Sequence, residues 1–166
     1  MTTTIVVGNP RPRSRTYAAA VDVAERLSGS EPDHRYDLVE FGADLLDWNS
    51  DRVAQAVEVV CASRLLVVAS PTFKTSYSGL LKLFLDRFAA DSLGGAVVVP
   101  LMLGGHAQHS LAPDVFLAPV LRHLGAGVLT PGLFLLDSQP LVPDEWINSC
   151  RSVLDSWSAV GRTEAR

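Results

Sequence analysis

Short apolar runs recur along the chain, each followed by a polar turn and then by apolar residues spaced for a helix. Thr4 to Val7 is β-branched and too short for a helix, so it reads as a buried strand; Tyr17, Ala20, Val21, Ala24 and Leu27 then recur at helical spacing. Turn residues occupy 28–33, and Arg35 to Phe41 alternates polar and apolar side chains as a half-exposed edge strand does. Gly42 to Ser50 reads as a loop, with Asn49, Ser50 and Asp51 as candidate caps for a helix carrying Val53, Ala56, Val57 and Val60, and with Cys61 on its buried side. Leu65 to Ala69 is continuously apolar, the pattern of a strand covered on both faces in a parallel sheet.

The second half repeats the rhythm. A helix is expected over about Ser78 to Ala90, and its Leu80, Leu81, Leu83, Phe84, Leu85 and Phe88 are apolar around too much of the circumference for one buried face. It is therefore expected to pack on the sheet and also on another subunit. Ala96 to Leu103 is the fourth strand, where Pro100 requires either a bulge or an unpaired N–H side. A helix over about Leu111 to Leu124 begins irregularly at Pro113 and stops at Gly125. The fifth strand is split into Val128-Leu129 and Leu133 to Leu136 around Thr130-Pro131-Gly132. Pro143 opens a last helix with an apolar stripe of Trp146, Ile147, Cys150, Val153, Leu154 and Trp157, and the tail is expected to fray from Gly161. Strands alternating with helices predict an α/β three-layer sandwich around a five-stranded parallel sheet of order 2-1-3-4-5, with ligands outside the carboxyl ends of the strands at the switch point between strands one and three.

Three polar loops open at that edge: 8–16, 70–79 and 104–110. The first, Gly8-Asn9-Pro10-Arg11-Pro12-Arg13-Ser14-Arg15-Thr16, lies between a strand and a helix. Free N–H groups at a helix N-terminus and the helix dipole attract an anion there. Ser14 and Thr16 add hydroxyls, and Arg11, Arg13 and Arg15 add charge, which points to a phosphate monoester rather than to a simple helix cap with solvated arginines. Gly8 is the loop's only glycine and no lysine follows, so it is neither a GxGxxG fingerprint nor a GxxxxGK[ST] loop.

Composition narrows the picture further. The 166 residues form one domain, 1–166, and 14 basic against 18 acidic residues give a net charge of −4, which argues against nucleic acid and anionic membranes as partners. The N-terminus enters a strand directly and no apolar stretch is long enough to cross a membrane, so a cytoplasmic protein is expected. Cys61 and Cys150 lie in separate helices without CxxC spacing, and His106 and His109 lack nearby cysteine or carboxylate partners, so no metal site is expected.

Four blocks resemble the NAD(P)H-dependent FMN reductases of the flavodoxin-like superfamily, and most closely the flavin reductases that serve alkanesulfonate-type two-component monooxygenases. They are Gly8-Asn9-Pro10-Arg11 with Ser14-Arg15-Thr16; Ser70 through Lys82; Gly104-Gly105-His106; and Asp137-Ser138-Gln139. The resemblance implies that Asn9, Arg11, Ser14, Arg15 and Thr16 hold the FMN phosphate, that Pro71, Thr72, Phe73 and Lys74 wrap the ribityl chain and the edge of the isoalloxazine, and that Gly104 and Gly105 donate N–H groups near the ring. It also implies NADPH or NADH as co-substrate and a homodimer or homotetramer built through helix 78–90. Some sulfonate-linked relatives stack a tyrosine of the fourth helix across a tetramer interface; Val115 or Phe116 stands at about that position here.

The flavin would carry the chemistry, so no side-chain nucleophile is required. Residues 104–110 contain no Trp or Tyr to cover the exposed ring face, which favours two-electron traffic over a flavodoxin-type sandwich. Phe73 is either a flavin contact or core, Lys74 either a ligand contact or a solvated loop residue, and His106 either an auxiliary proton donor or a surface residue. The expected activity is reduction of FMN by NAD(P)H with reduced flavin passed to a monooxygenase. The alternatives are a reductase of quinones, azo dyes or chromate that keeps its FMN, a flavodoxin-type electron carrier, and a module for another phosphate ligand.

Overall fold

The computed structural model describes residues 1–129 and 131–163, with side chains through 156. Strands β1 (Thr3–Val7), β2 (His34–Asp37), β3 (Leu65–Pro71), β4 (Val97–Gly104), β5 (Gly127–Val128) and β6 (Leu133–Leu136) form one parallel sheet of order β2-β1-β3-β4-β5, with β6 continuing beside β4. The expected order 2-1-3-4-5 and the split fifth strand are both present. Thr130, within the split, lies outside the described residues.

The two faces of the sheet are set by strand alternation. Ile5, Val7, Leu65, Val67, Ala69, Val97, Val99 and Leu101 pack under α1 (Arg15–Ser28) and α5 (Asp144–Thr163). Val6, Leu66, Val68, Val98 and Met102 face α2 (Asp51–Cys61), α3 (Gly79–Leu85) and α4 (Ala118–His123). Both faces of the central strands are thus covered, which is why their sequences read as continuous apolar runs.

Pro100 causes no bulge, because the β3–β4 register runs unbroken from Leu65↔Val97 to Pro71↔Leu103. In a parallel strand the N–H and C=O of one residue face the same neighbour. Val98 accepts from Leu129 and Gly104 from Asp137, so the even-numbered residues of β4 face β5 and β6. Pro100 therefore points its missing donor into the interval between those two strands. Gly132 in that interval has no room for a side chain: a Cβ would lie 2.7 Å from Pro113 Cβ and 3.1 Å from Pro100 Cγ.

Several boundaries differ from the sequence expectation. The second strand stops at Asp37 instead of reaching Phe41, and Leu38–Leu46 forms 3-10 turns, with Gly42 at φ 55° as the kink between two of them. Leu38, Phe41 and Leu45 are buried by these turns, so the alternation that resembled a strand is the footprint of a tight helix against the core. The helix expected over 78–90 ends at Leu85, where i→i+3 bonds from Arg87 to Phe84 and from Phe88 to Leu85 close it. The irregular start of the fourth helix is a π-helical segment, Pro113–Leu117. Cys61 is only half-buried, and Val153 is 46% exposed rather than part of the α5 stripe. The Trp157 side chain and residues 164–166 lie outside the described residues, while the backbone of α5 stays helical past Gly161 to Thr163.

Candidate functional site

Gly8 ends β1 in a tight corner. Its N–H donates to Ala69 O at 2.8 Å, and a Cβ there would sit 2.5 Å from Leu81 Cβ, so only glycine lets α3 approach the strand end this closely. Ser78 caps α3, accepting from Leu81 N–H at 3.1 Å while its hydroxyl donates to Gly8 O, and its own N–H donates to Ser70 Oγ at 2.9 Å. The first and second loops are thereby tied together at their roots.

Beyond that corner, Asn9 organises the loop. Its amide donates to Thr16 Oγ1 at 3.0 Å and its carbonyl accepts from Arg11 N–H at 3.0 Å. Ser14 is the N-cap of α1, its Oγ accepting from Tyr17 N–H at 3.2 Å. The N–H groups of Arg15 and Thr16 have no acceptor among the described residues and lie at the positive end of a 14-residue helix. Arg15 donates to Asp137 O, which draws the segment after β6 over the same spot. Together Asn9, Arg11, Ser14, Arg15, Thr16, Pro71, Phe73 and Asp137 line one cavity of about 340 Å³.

Arg13 is the arginine that does not join them. It adopts φ 50°, and its guanidinium donates to Tyr17 OH at 2.9 Å and lies 3.8 Å from Glu40, directed away from the cavity. Its N–H donates to Asp37 Oδ2 at 2.8 Å. Asp37 is 3% exposed and its Oδ1 has no partner among the described residues. Burial pushes its carboxyl above the usual carboxylate range; the Arg13 N–H bond opposes that shift and the nearby Glu40 adds to it.

The second loop turns back on itself. Phe73 and Ser76 exchange hydrogen bonds of 2.8 and 3.1 Å around Lys74 and Thr75, both at positive φ (49° and 73°), the signature of a two-residue primed turn built without glycine. This leaves Phe73 half-exposed at the cavity wall and Lys74 exposed outside it. Thr72 donates its N–H to Leu103 O, while its buried hydroxyl has no partner among the described residues. A Cβ on Gly104 would lie 3.1 Å from that hydroxyl and 2.9 Å from the Phe134 ring, so Gly104 is required by packing. Gly105 and His106 are exposed, and the His106 ring stands edge-on to His109 at 6.3 Å. Thr72, Lys74, Gly104, Gly105 and His106 do not line the 340 Å³ cavity.

A helix N-terminus with free N–H groups, hydroxyls and guanidiniums, joined to a second loop at the switch point of a 2-1-3-4-5 sheet, is an arrangement suited to an anion such as a phosphate ester. The family model for NADPH-dependent FMN reductases matches residues 1–140. The chain belongs to this family. FMN reductase (NADPH) of Escherichia coli (strain K12) is 36% identical over 138 residues, which span 81% of this chain and 72% of that one. NADH-dependent FMN reductase SfnF of Pseudomonas putida is 30% identical over 167 residues, spanning 93% and 90%. Among solved structures, apo NADH:FMN oxidoreductase (EMOB) superposes with a TM-score of 0.79 at 29% identity over 93% of this chain and 87% of that one.

Asp137, Pro10 and Pro12 also line this cavity and were not among the expected site residues. Asp137 belongs to a block already singled out by resemblance, and its place after the last strand puts it at the same sheet edge. Asp37 carried no motif; only a strand ending at residue 37 rather than 41 would have placed it beside the loop.

Proposed function

We propose that this protein is an NAD(P)H-dependent FMN reductase that passes reduced flavin to a monooxygenase in the cytoplasm. The observation that carries the reading is the cavity at the α1 N-terminus, where Ser14, Arg15, Thr16 and Arg11 converge with no competing acidic partner at the free Arg15 and Thr16 N–H groups. Names of relatives, FMN reductase (NADPH) and NADH-dependent FMN reductase, support the same activity.

FMN, when bound, would supply the hydride chemistry with reduced nicotinamide as the donor. The chain's residues bind and orient. Ser14 and Thr16 hydroxyls, the Arg15 and Thr16 N–H groups and the Arg11 guanidinium suit the phosphate, each charge-assisted bond contributing about 1.5–3 kcal/mol. Pro71 and Phe73, which line the cavity, would flank the ribityl chain and ring edge, with Thr72 and Lys74 on the same loop just outside it. The exposed Gly105 and His106 backbone would offer N–H groups near the ring, and the absence of Trp and Tyr from 104–110 would leave a face for the nicotinamide.

Assembly as a homodimer or homotetramer through the 78–90 segment belongs to the same proposal. Leu83 is 38% exposed and Phe116 38%, and a groove of about 450 Å³ runs past Leu85, Phe88, Pro119, Val120 and Leu124. Among the described residues no helix is long and apolar enough to cross a membrane.

Anaerobic mixing with NADPH, and separately with NADH, in the presence of FMN tests the reading. Loss of oxidised-flavin absorbance in step with nicotinamide oxidation is expected. Failure of both nucleotides to bleach the flavin, or ping-pong turnover of a quinone sustained without free FMN, would overturn it.

A further inference from the structure

Asp37 is expensive for the fold. It sits at the end of edge strand β2, 3% exposed, with one carboxylate oxygen unpartnered. Its register partner on β1 is the fully buried Val7, and an apolar side chain there would pack without desolvating a charge. Local rules broken without benefit to stability are found at functional sites. What the carboxylate does provide is an acceptor aimed at one N–H, that of Arg13, at 2.8 Å.

That N–H belongs to the most constrained point of the phosphate loop. Arg13 has φ 50°, a left-handed conformation that a residue with a Cβ adopts only when its surroundings impose it. The guanidinium is tethered on the far side, to Tyr17 OH at 2.9 Å, over the Tyr17 ring at 4.9 Å and near Glu40 at 3.8 Å. Ser14, the α1 cap and a cavity residue, is the next residue along. A loop with two prolines, held at Asn9 on one side and at Arg13 on the other, reaches α1 in a single shape.

We propose that Asp37 is the positioning residue of the flavin-phosphate loop: from the end of β2 its carboxylate holds the Arg13 peptide in the left-handed turn and presets residues 10–16 for a phosphate monoester. Arg13, which the sequence alone groups with Arg11 and Arg15 as a phosphate ligand, is then the loop's anchor. The proposal rests on the flavin-reductase reading of the cavity. It predicts pre-organisation: the ordering of the loop is complete before the ligand arrives, so its loss appears in affinity for the phosphorylated flavin and not in the chemical step.

The test compares FMN with riboflavin, which has the ring and ribityl chain but no phosphate, by fluorescence titration of the full chain. Wild type is expected to prefer FMN; equal affinity would sink the cradle reading itself, whatever Asp37 does. Asp37→Ala is expected to weaken FMN binding at least tenfold and leave riboflavin binding and kcat at saturating FMN unchanged. Asp37→Asn keeps an oxygen for the Arg13 N–H and is expected to bind FMN within about twofold of wild type. Equal loss of both flavins in Asp37→Ala marks a merely structural role and overturns the proposal, as does wild-type FMN affinity in Asp37→Ala or a loss in Asp37→Asn as large as in Asp37→Ala. Should Asp37→Ala not fold, amide exchange in flavin-free wild type decides: a protected Arg13 amide is expected, and exchange at the rate of an unstructured peptide refutes the anchor.

Discussion

Gly8→Ala is the most direct probe of how the sheet edge and the cavity are joined. The new methyl would lie 2.5 Å from Leu81 Cβ, 3.0 Å from Leu81 Cα and 3.1 Å from Leu81 N. Two of these are backbone atoms of α3, so no rotamer change relieves them and the helix start must move as a body. Overpacking of this kind destabilises by about 1–3 kcal/mol. The movement also strains the Ser78 cap, whose hydroxyl reaches Gly8 O, adding a part of the about 0.5–2 kcal/mol that an N-cap supplies. A total of about 1–5 kcal/mol is expected from these two terms, and a domain of this size loses about 2–4 °C of Tm per kcal/mol. Urea unfolding followed by circular dichroism measures the loss, and flavin titration of the folded fraction is expected to show weakened FMN binding, because Pro71 and Phe73 move with the Ser78 corner. Leu81→Ala as a second change gives no rescue, since the contact is with the Cβ and backbone that alanine retains. Unfolding of Gly8→Ala at the wild-type urea concentration, or rescue by Leu81→Ala, would refute the close-approach argument.

Three further outcomes follow from the same structure. Ser14→Ala with Arg15→Ala is expected to weaken FMN binding by about 2–4 kcal/mol, the sum of one neutral and one charge-assisted bond, with about 1 kcal/mol of helix stability lost alongside; unchanged affinity in a fluorescence titration would show the phosphate lies elsewhere. Burial raises the Asp37 carboxyl above its ordinary value near 3.8, so between the two values the folded state holds more protons than the unfolded chain and stability falls as pH rises through that window. Asp37→Asn is therefore expected to gain on wild type from acid to neutral pH in paired urea titrations, and a pH-independent difference would contradict the shift. Burial pushes the Cys150 thiol up to about 11; in native protein at about pH 8 iodoacetamide is expected to modify the half-buried Cys61 and spare Cys150, with both modified in urea, and native labelling of Cys150 in peptide mass spectra would refute its burial.

The architecture was legible because its signals are local. Ile5-Val6-Val7, Leu65 to Ala69 and Val97 to Leu103 read as doubly covered strands, and turn residues separate them from helical spacing, so strand order and the ligand edge followed from general rules. The loop between β1 and α1 was readable for the same reason, whereas Ser14 is the α1 N-cap that the sequence reading had set aside in favour of a phosphate ligand. Where two local patterns coincide, the sequence misled: Leu38, Phe41 and Leu45 satisfy a tight helix as well as part of an alternating strand, and only packing against Phe84 and Val53 selects the helix.

Propensity, periodicity and capping act over a few residues, so the set of elements and the cationic, hydroxyl-rich turn at the head of α1 are written locally into the chain. The division of labour within that turn emerges only once the chain is folded. Arg11 and Arg15 line the cavity while Arg13 is drawn off by Asp37, Tyr17 and Glu40, and Asp137 closes the site from 121 residues beyond Thr16. Apart from the Arg13–Tyr17 contact, those pairings join groups distant along the chain, and their geometry exists only after the strands carrying them lie side by side.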